Sequence, residues 1–357
     1  MKPFRVIDTG VRPCREQMAF DQALIDGHKA GVVPDTVRFL TFPPSVLVGR
    51  HQAISQELNL PACRVAGVGI GRRVTGGGAL YLDEGQFGWE LVFARDTLGL
   101  GSLGEVARAI CEAAADGLSR LGIPARYRPR NDIEVEGRKI SGTGGFFDGD
   151  TIFYQGTTLY DMDGAKMASL LNIPAAKLAK HGQTSGAQRV VTITELFNGA
   201  PPPVAEVKAA LLEGFAAGLG IAAAPGDITE AEESAAKEIL ATEIGTDEFV
   251  YGLDDPRGSD VLSGRVTGSG GTIATHLRLD GPSQDRIREV VITGDFFVTP
   301  PKVILNLEAA LRGVDVEDVE PAILGFFEAE QVGLLSAQPA DFVASIRAAL
   351  SGGAGAA

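Results

Sequence analysis

A chain of 357 residues exceeds a typical single domain, and 45% hydrophobic residues with a mean hydropathy of +0.10 suffice for packed cores, so two domains are expected. The formal charge of −14 and a pI near 4.8 argue against nonspecific binding to nucleic acid or anionic membranes.

In chain order, Phe4–Ile7 predicts a short strand, and Arg15–His28 a helix with Ala19/Phe20 and Ala23/Leu24 on one face. Val37–Phe42 and Ser45–Val48 are short β-type runs joined by Pro43-Pro44, and Gly49-Arg50-His51-Gln52 is a turn. Val68–Val74 leads as a strand into a glycine loop, and Gln86–Phe93 alternates Phe87, Trp89, Leu91, Phe93 as a half-buried strand. Ser102 and Glu105 make a capping box for a helix whose apolar face runs from Val106 to Leu121, with Cys111 packed inside it. Ile133–Val135, a turn at Glu136-Gly137 and Arg138–Ser141 predict a hairpin. Asp148-Gly149 returns Thr151–Tyr160 against Gly142–Phe147. Helices follow at Asp163–Leu171, at Val204–Leu219 and, from a Thr229/Glu232 capping box, to about Glu243. After a turn cluster at Asp254–Gly258 a fresh α/β pattern begins: strands at Thr272–Leu279 and Arg286–Thr293, a helix from Pro300-Pro301 stopped by Gly313, and another over Asp341–Leu350. The expected division is 1–248, a linker at 249–260, a smaller domain at 261–350 and a disordered tail at 351–357.

Chemistry concentrates in Arg72-Arg73-Val74-Thr75-Gly76-Gly77-Gly78-Ala79-Leu80-Tyr81-Leu82-Asp83. Consecutive glycines expose backbone N–H groups and permit positive φ, so such a loop can wrap phosphate oxygens, and arginine adds a forked cation. Alone, the stretch fits equally a glycine turn beside a solvated arginine pair. A second cluster, Arg130-Asn131-Asp132 with Gly137-Arg138-Lys139-Ile140-Ser141-Gly142, favours an anion site containing a lysine. The window Arg126–Lys139 holds five basic against three acidic residues, a positive patch on an acidic protein. Gly142, Gly144 and Gly145 beside Lys139 would let a ligand or another backbone approach. There is no G-x-x-x-x-G-K-[ST], no complete G-x-G-x-x-G and no G-x-S-x-G. Cys14, Cys63 and Cys111 lack CxxC spacing, and with four scattered histidines they give no metal signature and suit a reducing cytosol. No apolar stretch follows the opening Met1-Lys2, and nothing approaches 18 uninterrupted apolar residues, so a cytoplasmic location is expected.

With these segments in place, the chain resembles the lipoate–protein ligases of the biotin/lipoate ligase family over nearly its whole length. Arg72–Asp83 is similar to the family's R-R-x-[ST]-G-G-G-A-V-[FY]-H-D loop, Arg130-Asn131-Asp132 to its R-N-D segment and Lys139–Gly142 to its K-[IV]-[ST]-G lysine motif. Glu16–Leu24, Leu47–Gln52, Lys177–Ser185 and Ile292–Phe297 carry further likeness, the last to the C-terminal accessory domain of bacterial members. Departures are Leu82 for histidine, Gln155 before Gly156-Thr157, and Gly186-Ala187-Gln188-Arg189-Val190, which keeps one arginine of two.

The resemblance implies an α+β fold, with mixed or antiparallel sheets flanked by helices like those of the biotinyl/lipoyl ligases and class II synthetases, plus the small α/β accessory domain. It implies ATP-dependent activation of lipoate or octanoate to acyl-AMP with release of pyrophosphate. Transfer follows to a lysine of a carrier, either a lipoyl domain or a glycine-cleavage H-like protein. Lys139 would be catalytic. Arg73, Gly76, Gly77, Gly78, Ala79, Leu80, Tyr81, Asn131, Asp132 and Lys139 would hold ATP and the adenylate. Arg72, Gly77, Gly78, Lys139 and Gly156 would hold lipoate, Asp132 would meet Mg²⁺ carried by the nucleotide, and the accessory domain would cover the site. No nucleic-acid or membrane partner is implied, and the expected state is a monomer. Two other readings stay open: an ATP-independent octanoyl- or lipoyl-transferase of the same fold, and a non-catalytic relative.

Overall fold

The computed structural model describes residues 1–172, 189–268, 270–330, 332–335 and 337–352. Its first eleven strands are β1 (Lys2–Val11), β2 (Thr36–Thr41), β3 (Ser45–Val48), β4 (Gly69–Arg72), β5 (Leu80–Leu82), β6 (Gln86–Ala94), β7 (Arg126–Arg128), β8 (Asp132–Val135), β9 (Arg138–Asp148), β10 (Thr151–Leu159) and β11 (Ile221–Pro225). Among the described residues, eight of them form one sheet in the order β11-β1-β2-β6-β10-β9-β8-β7. β1 runs parallel to both neighbours, and the remaining pairs are antiparallel. A small sheet, β4-β3-β5, stands apart and suspends the glycine loop between β4 and β5.

Both faces of the large sheet are covered. One carries the Leu103–Arg120 and Val204–Leu219 helices, whose side chains join Trp89, Leu91, Phe93 and Phe215 in one apolar core. These helices approach closely because Gly117 and Gly214 face each other, and a Cβ on either would strike backbone. The other face carries the Cys14–Lys29 and Glu230–Thr242 helices over Phe20, Leu24, Val92 and Phe153. Both expected capping boxes form: Ser102 with Glu105, and Thr229 with Glu232. Each satisfies otherwise orphaned N–H groups reciprocally.

β6 differs from the half-buried strand expected, since every residue from Gln86 to Phe93 is buried. Glu90 supplies the polar alternation but does not face water. Its carboxyl meets Arg38 at 2.9 Å, and Arg38 also holds Asp21 at 2.6 Å inside the second core. Burial raises the pKa of Glu90 well above the carboxylate range, against the pull of Arg38. The short helices Ile54–Glu57, Leu60–Ala66 and Val319–Ala329 were not apparent from periodicity.

The remaining strands are β12 (Leu262–Gly268), β13 (Gly271–Asp280), β14 (Arg286–Gly294), β15 (Val298–Thr299) and β16 (Gly333–Leu334). β12, β13 and β14 form an antiparallel sheet backed by the Val303–Leu311, Val319–Ala329 and Pro339–Gly352 helices. Ile273, Leu277, Phe296, Leu307, Phe342 and their neighbours make a core drawn entirely from residues after 261. Ser351 and Gly352 close the last helix, and 353–357 lie outside the described residues. No helix among the described residues is long and apolar enough to cross a membrane.

Candidate active site

The β8–β9 hairpin turns at Glu136 and Gly137, both at positive φ, and delivers Lys139 onto β9 beside Asp132. Lys139 Nζ lies 2.8 Å from Asp132 Oδ1, while Asp132 Oδ2 accepts from Arg128 at 2.6 Å. Burial alone would raise the Asp132 pKa, but Lys139 and Arg128 together hold the carboxyl below its ordinary value. The lysine amine lies down over Gly142: a Cβ there would sit 2.5 Å from Lys139 Cε and would collide with Nζ. Glycine at 142 is therefore what admits the cation to the surface of the strand.

Asn131 is fixed from behind. Its Nδ2 donates to the Thr143 carbonyl at 2.6 Å, and its own carbonyl accepts from both the N–H and Oγ1 of Thr143 at 2.9 Å. Thr143 Oγ1 also lies 2.6 Å from Tyr154 Oη and 3.3 Å from Cys111 Sγ. Burial pushes the Cys111 thiol up to about 11 and also raises those of Cys14 and Cys63. All three thiols are buried, so none is a ready thiolate.

The glycine loop reaches the same face of the sheet. Gln155 Nε2 donates to Thr75 Oγ1 at 2.7 Å, tying the loop to β10 at the residue paired with Gly144. Gln155, one of the departures from the family pattern, thus helps to hold the loop. The backbone of Gly49 packs so closely under the loop that a Cβ there would strike the Gly77 carbonyl.

The two arginines are spent internally. Arg72 is buried, and its guanidinium donates to the carbonyls of Gly49, Arg50, Gln52, Phe249, Val250 and Leu253. Arg73, also buried, donates to the carbonyls of Leu47, Gly76 and Gly78. Desolvation lowers both pKa values to about 10, leaving the groups cationic at neutral pH. Both side chains hold the loop and the turn beneath it in this structure. Arg72 braces the Gly49–Gln52 turn, and Arg73 folds back to close the glycine loop on itself.

Other expected residues separate. Gly156 pairs with Thr143 and so lies on the opposite face from Gly142, its empty Cβ position filled by the Trp89 ring. This face parity removes it from the lysine side. Leu80, Tyr81 and Leu82 form β5, with Leu82 buried in the second core and Tyr81 Oη donating to Asp83 Oδ2 at 2.8 Å. Lys177–Ser185 and Gly186–Gln188 lie outside the described residues. Asp132 does not fit a resident metal, because cations already occupy both its oxygens. The described residues contain no cluster of three His, Cys, Asp or Glu able to hold one.

The C-terminal unit closes over this site through residues 294–299. Gly294 N–H donates to the His51 carbonyl at 2.8 Å, the Phe296 and His51 rings stack at 5.1 Å, and Thr299 Oγ1 bridges the Phe147 N–H and carbonyl at 2.7 and 2.6 Å. The Phe297 ring rests against Gly77 and Gly144. Burial, reinforced by Arg50 and Arg72, lowers the His51 pKa to about 3, so the imidazole at this junction is neutral at neutral pH. Sequence reasoning marked this segment only as part of an accessory domain; its double phenylalanine was the available signal.

Comparison with known proteins gives consistent results. The model of the lipoyl protein ligase A/B catalytic domain matches residues 13–216. Octanoyltransferase LipM of Symbiobacterium thermophilum is 31% identical over 269 residues, covering 69% of this chain and 97% of that protein. A crystal structure of lipoate-protein ligase A bound with ATP has 26% identity and a TM-score of 0.62, covering 71% of this chain and all of that one. The bi-partite lipoate protein ligase of Thermoplasma acidophilum, described with its E2 lipoyl domain, has 26% identity and a TM-score of 0.63, covering 72% and 99%.

Proposed function

The chain belongs to the lipoyl protein ligase A/B family, and from that premise we propose that it attaches an eight-carbon acyl group, octanoyl or lipoyl, to a lysine of a lipoyl carrier domain. The observation that carries this reading is the Lys139 amine, laid over Gly142 and held by Asp132. Attack on an acyl carbonyl places negative charge on oxygen, and a preorganised lysine amine beside that oxygen stabilises the charge. Asp132 orients the amine through the 2.8 Å contact to its Oδ1. Asn131, anchored to Thr143, sets the edge of the site.

The acyl donor we favour is a carrier thioester, the ATP-independent route. The LipM relative, matched over nearly its full length, is an octanoyltransferase. Arg72 and Arg73 are committed to carbonyls and Asp132 to two cations, which leaves little to grip a metal-bound triphosphate. The ATP-dependent route expected from the sequence is the second reading, and two observations favour it. One solved relative holds ATP, and the buried thiols offer no nucleophile for an acyl-enzyme. Either way Lys139 performs the same task, and the accepting amine displaces the donor's leaving group.

The separating experiment supplies lipoate or octanoate with ATP and Mg²⁺, without carrier, and measures pyrophosphate in wild type and Lys139→Ala. In parallel it supplies octanoyl-carrier and a lipoyl domain without ATP. Transfer without pyrophosphate supports the favoured donor, and pyrophosphate release supports the second. In both, Lys139→Ala loses on the order of 10²–10³ in rate. Unchanged rates in that variant would refute the assignment of Lys139.

A further inference from the structure

Phe296 and Phe297 are adjacent but do opposite things. Phe296 is buried in the C-terminal core, stacked on His51 and edge-on to Phe342 at 5.3 Å. Phe297 joins none of the four apolar cores and is only partly buried. Its ring lies instead in the seam between the glycine loop and β9. A Cβ on Gly77 would stand 2.7 Å from its Cζ, and one on Gly144 would stand 2.9 Å from the same atom. Both positions must be glycine for the ring to fit, so at this point the seam is one aromatic ring thick.

Gly144 is two residues beyond Gly142, over which the Lys139 amine lies, so ring and amine stand roughly 7 Å apart along one strand face. An acyl chain whose carbonyl sits at Lys139 and whose tail follows that face enters the space the ring fills. The occupant is apolar, as an aliphatic chain is and a nucleotide phosphate is not.

We propose that Phe297 is an internal occupant of the acyl slot, and that binding of an aliphatic carboxylate or acyl chain requires this ring to leave. The inference rests on the acyl-attachment reading above. It assigns the slot to the seam between Gly77 and Gly144 and makes Phe297 the residue that sets the threshold for entry. The ring carries no hydrogen bond, whereas the segment is pinned on either side by Gly294 to His51 and by Thr299 to Phe147. Local withdrawal of the ring therefore breaks no polar contact.

The test is titration calorimetry of sodium octanoate and of lipoate into the full-length wild type and Phe297→Ala, with Phe297→Trp followed by fluorescence. If the open state is about a tenth of the population, Phe297→Ala binds about tenfold more tightly. Octanoate also shifts the emission of a tryptophan at 297 to the red, above the constant background of buried Trp89. Equal or weaker binding by Phe297→Ala, with that emission unmoved, overturns the proposal and makes the ring a wall of the slot. No binding by any of the three proteins overturns the acyl-slot reading itself, and the proposal with it. The tryptophan readout stands even should the alanine variant fail to fold.

Discussion

Gly142→Ala adds one methyl group directly beneath the Lys139 amine. The new Cβ would stand 2.5 Å from Lys139 Cε and closer still to Nζ, and 4.0 Å from Asp132 Oδ1. Ordinary van der Waals contact begins near 3.4 Å, so the end of the lysine must move by about 1 Å or more. That displacement breaks the 2.8 Å bond to Asp132. Gly142 does not occupy the left-handed backbone region, so alanine costs the strand nothing in conformation. The side chain that must yield is the flexible end of a lysine, which moves cheaply. The fold should therefore be unaffected or slightly stabilised, while a misplacement of about 1 Å at the reacting centre costs on the order of 10² in kcat. The assay is acyl transfer to a lipoyl domain under saturating donor, beside a thermal melt. Wild-type turnover in a well-folded Gly142→Ala would refute the placement of Lys139 at the reaction centre.

Two further outcomes concern stability. Arg72→Met leaves six carbonyls without their cation, which should cost roughly 4 kcal/mol or more and lower Tm on the order of 10 °C; a melt within about 2 °C of wild type would show that the clamp contributes little. Glu308 in the C-terminal unit has its pKa raised by burial from 4.5 to about 7, while it accepts from the Ile292 N–H at 2.7 Å. The stability it contributes is full below about pH 4.5 and is lost as pH rises through 7. Glu308→Gln, which keeps the acceptor, should therefore match wild type at pH 4 and exceed it at pH 8 by at most about 3 kcal/mol. Equal melting of that unit at pH 8 would refute the burial argument.

What the sequence disclosed follows from how local the signal is. The capping boxes at Ser102 and Thr229 and the Glu136-Gly137 turn are decided within four residues, and each formed as expected. Lys139 beside Asp132 was legible because a hairpin joins them. β6 misled because Glu90 looks like a solvent-facing residue until Arg38 and Asp21, from other elements, are placed around it. The bracing role of Arg72 was not legible for the same reason: its partners lie as far away as Leu253, and backbone carbonyls leave no trace in composition. Gly156 required strand parity, which an uncertain register does not give. Phe297 was visible as a residue, but that its ring meets Gly77 and Gly144 depends on how the two halves of the chain come together.

The Arg72 clamp also determines where this polypeptide can be divided. Three of its six acceptors, Phe249, Val250 and Leu253, belong to the stretch first assigned to a linker, and Val250 is buried with Val46 and Tyr81. A fragment ending at 248 would strand a buried guanidinium and undo the turn that underlies the glycine loop. The workable cut falls after Leu253, between the last carbonyl Arg72 uses and the first strand of the C-terminal sheet. A two-piece version of the protein, expressed from separate genes, would have to observe that boundary.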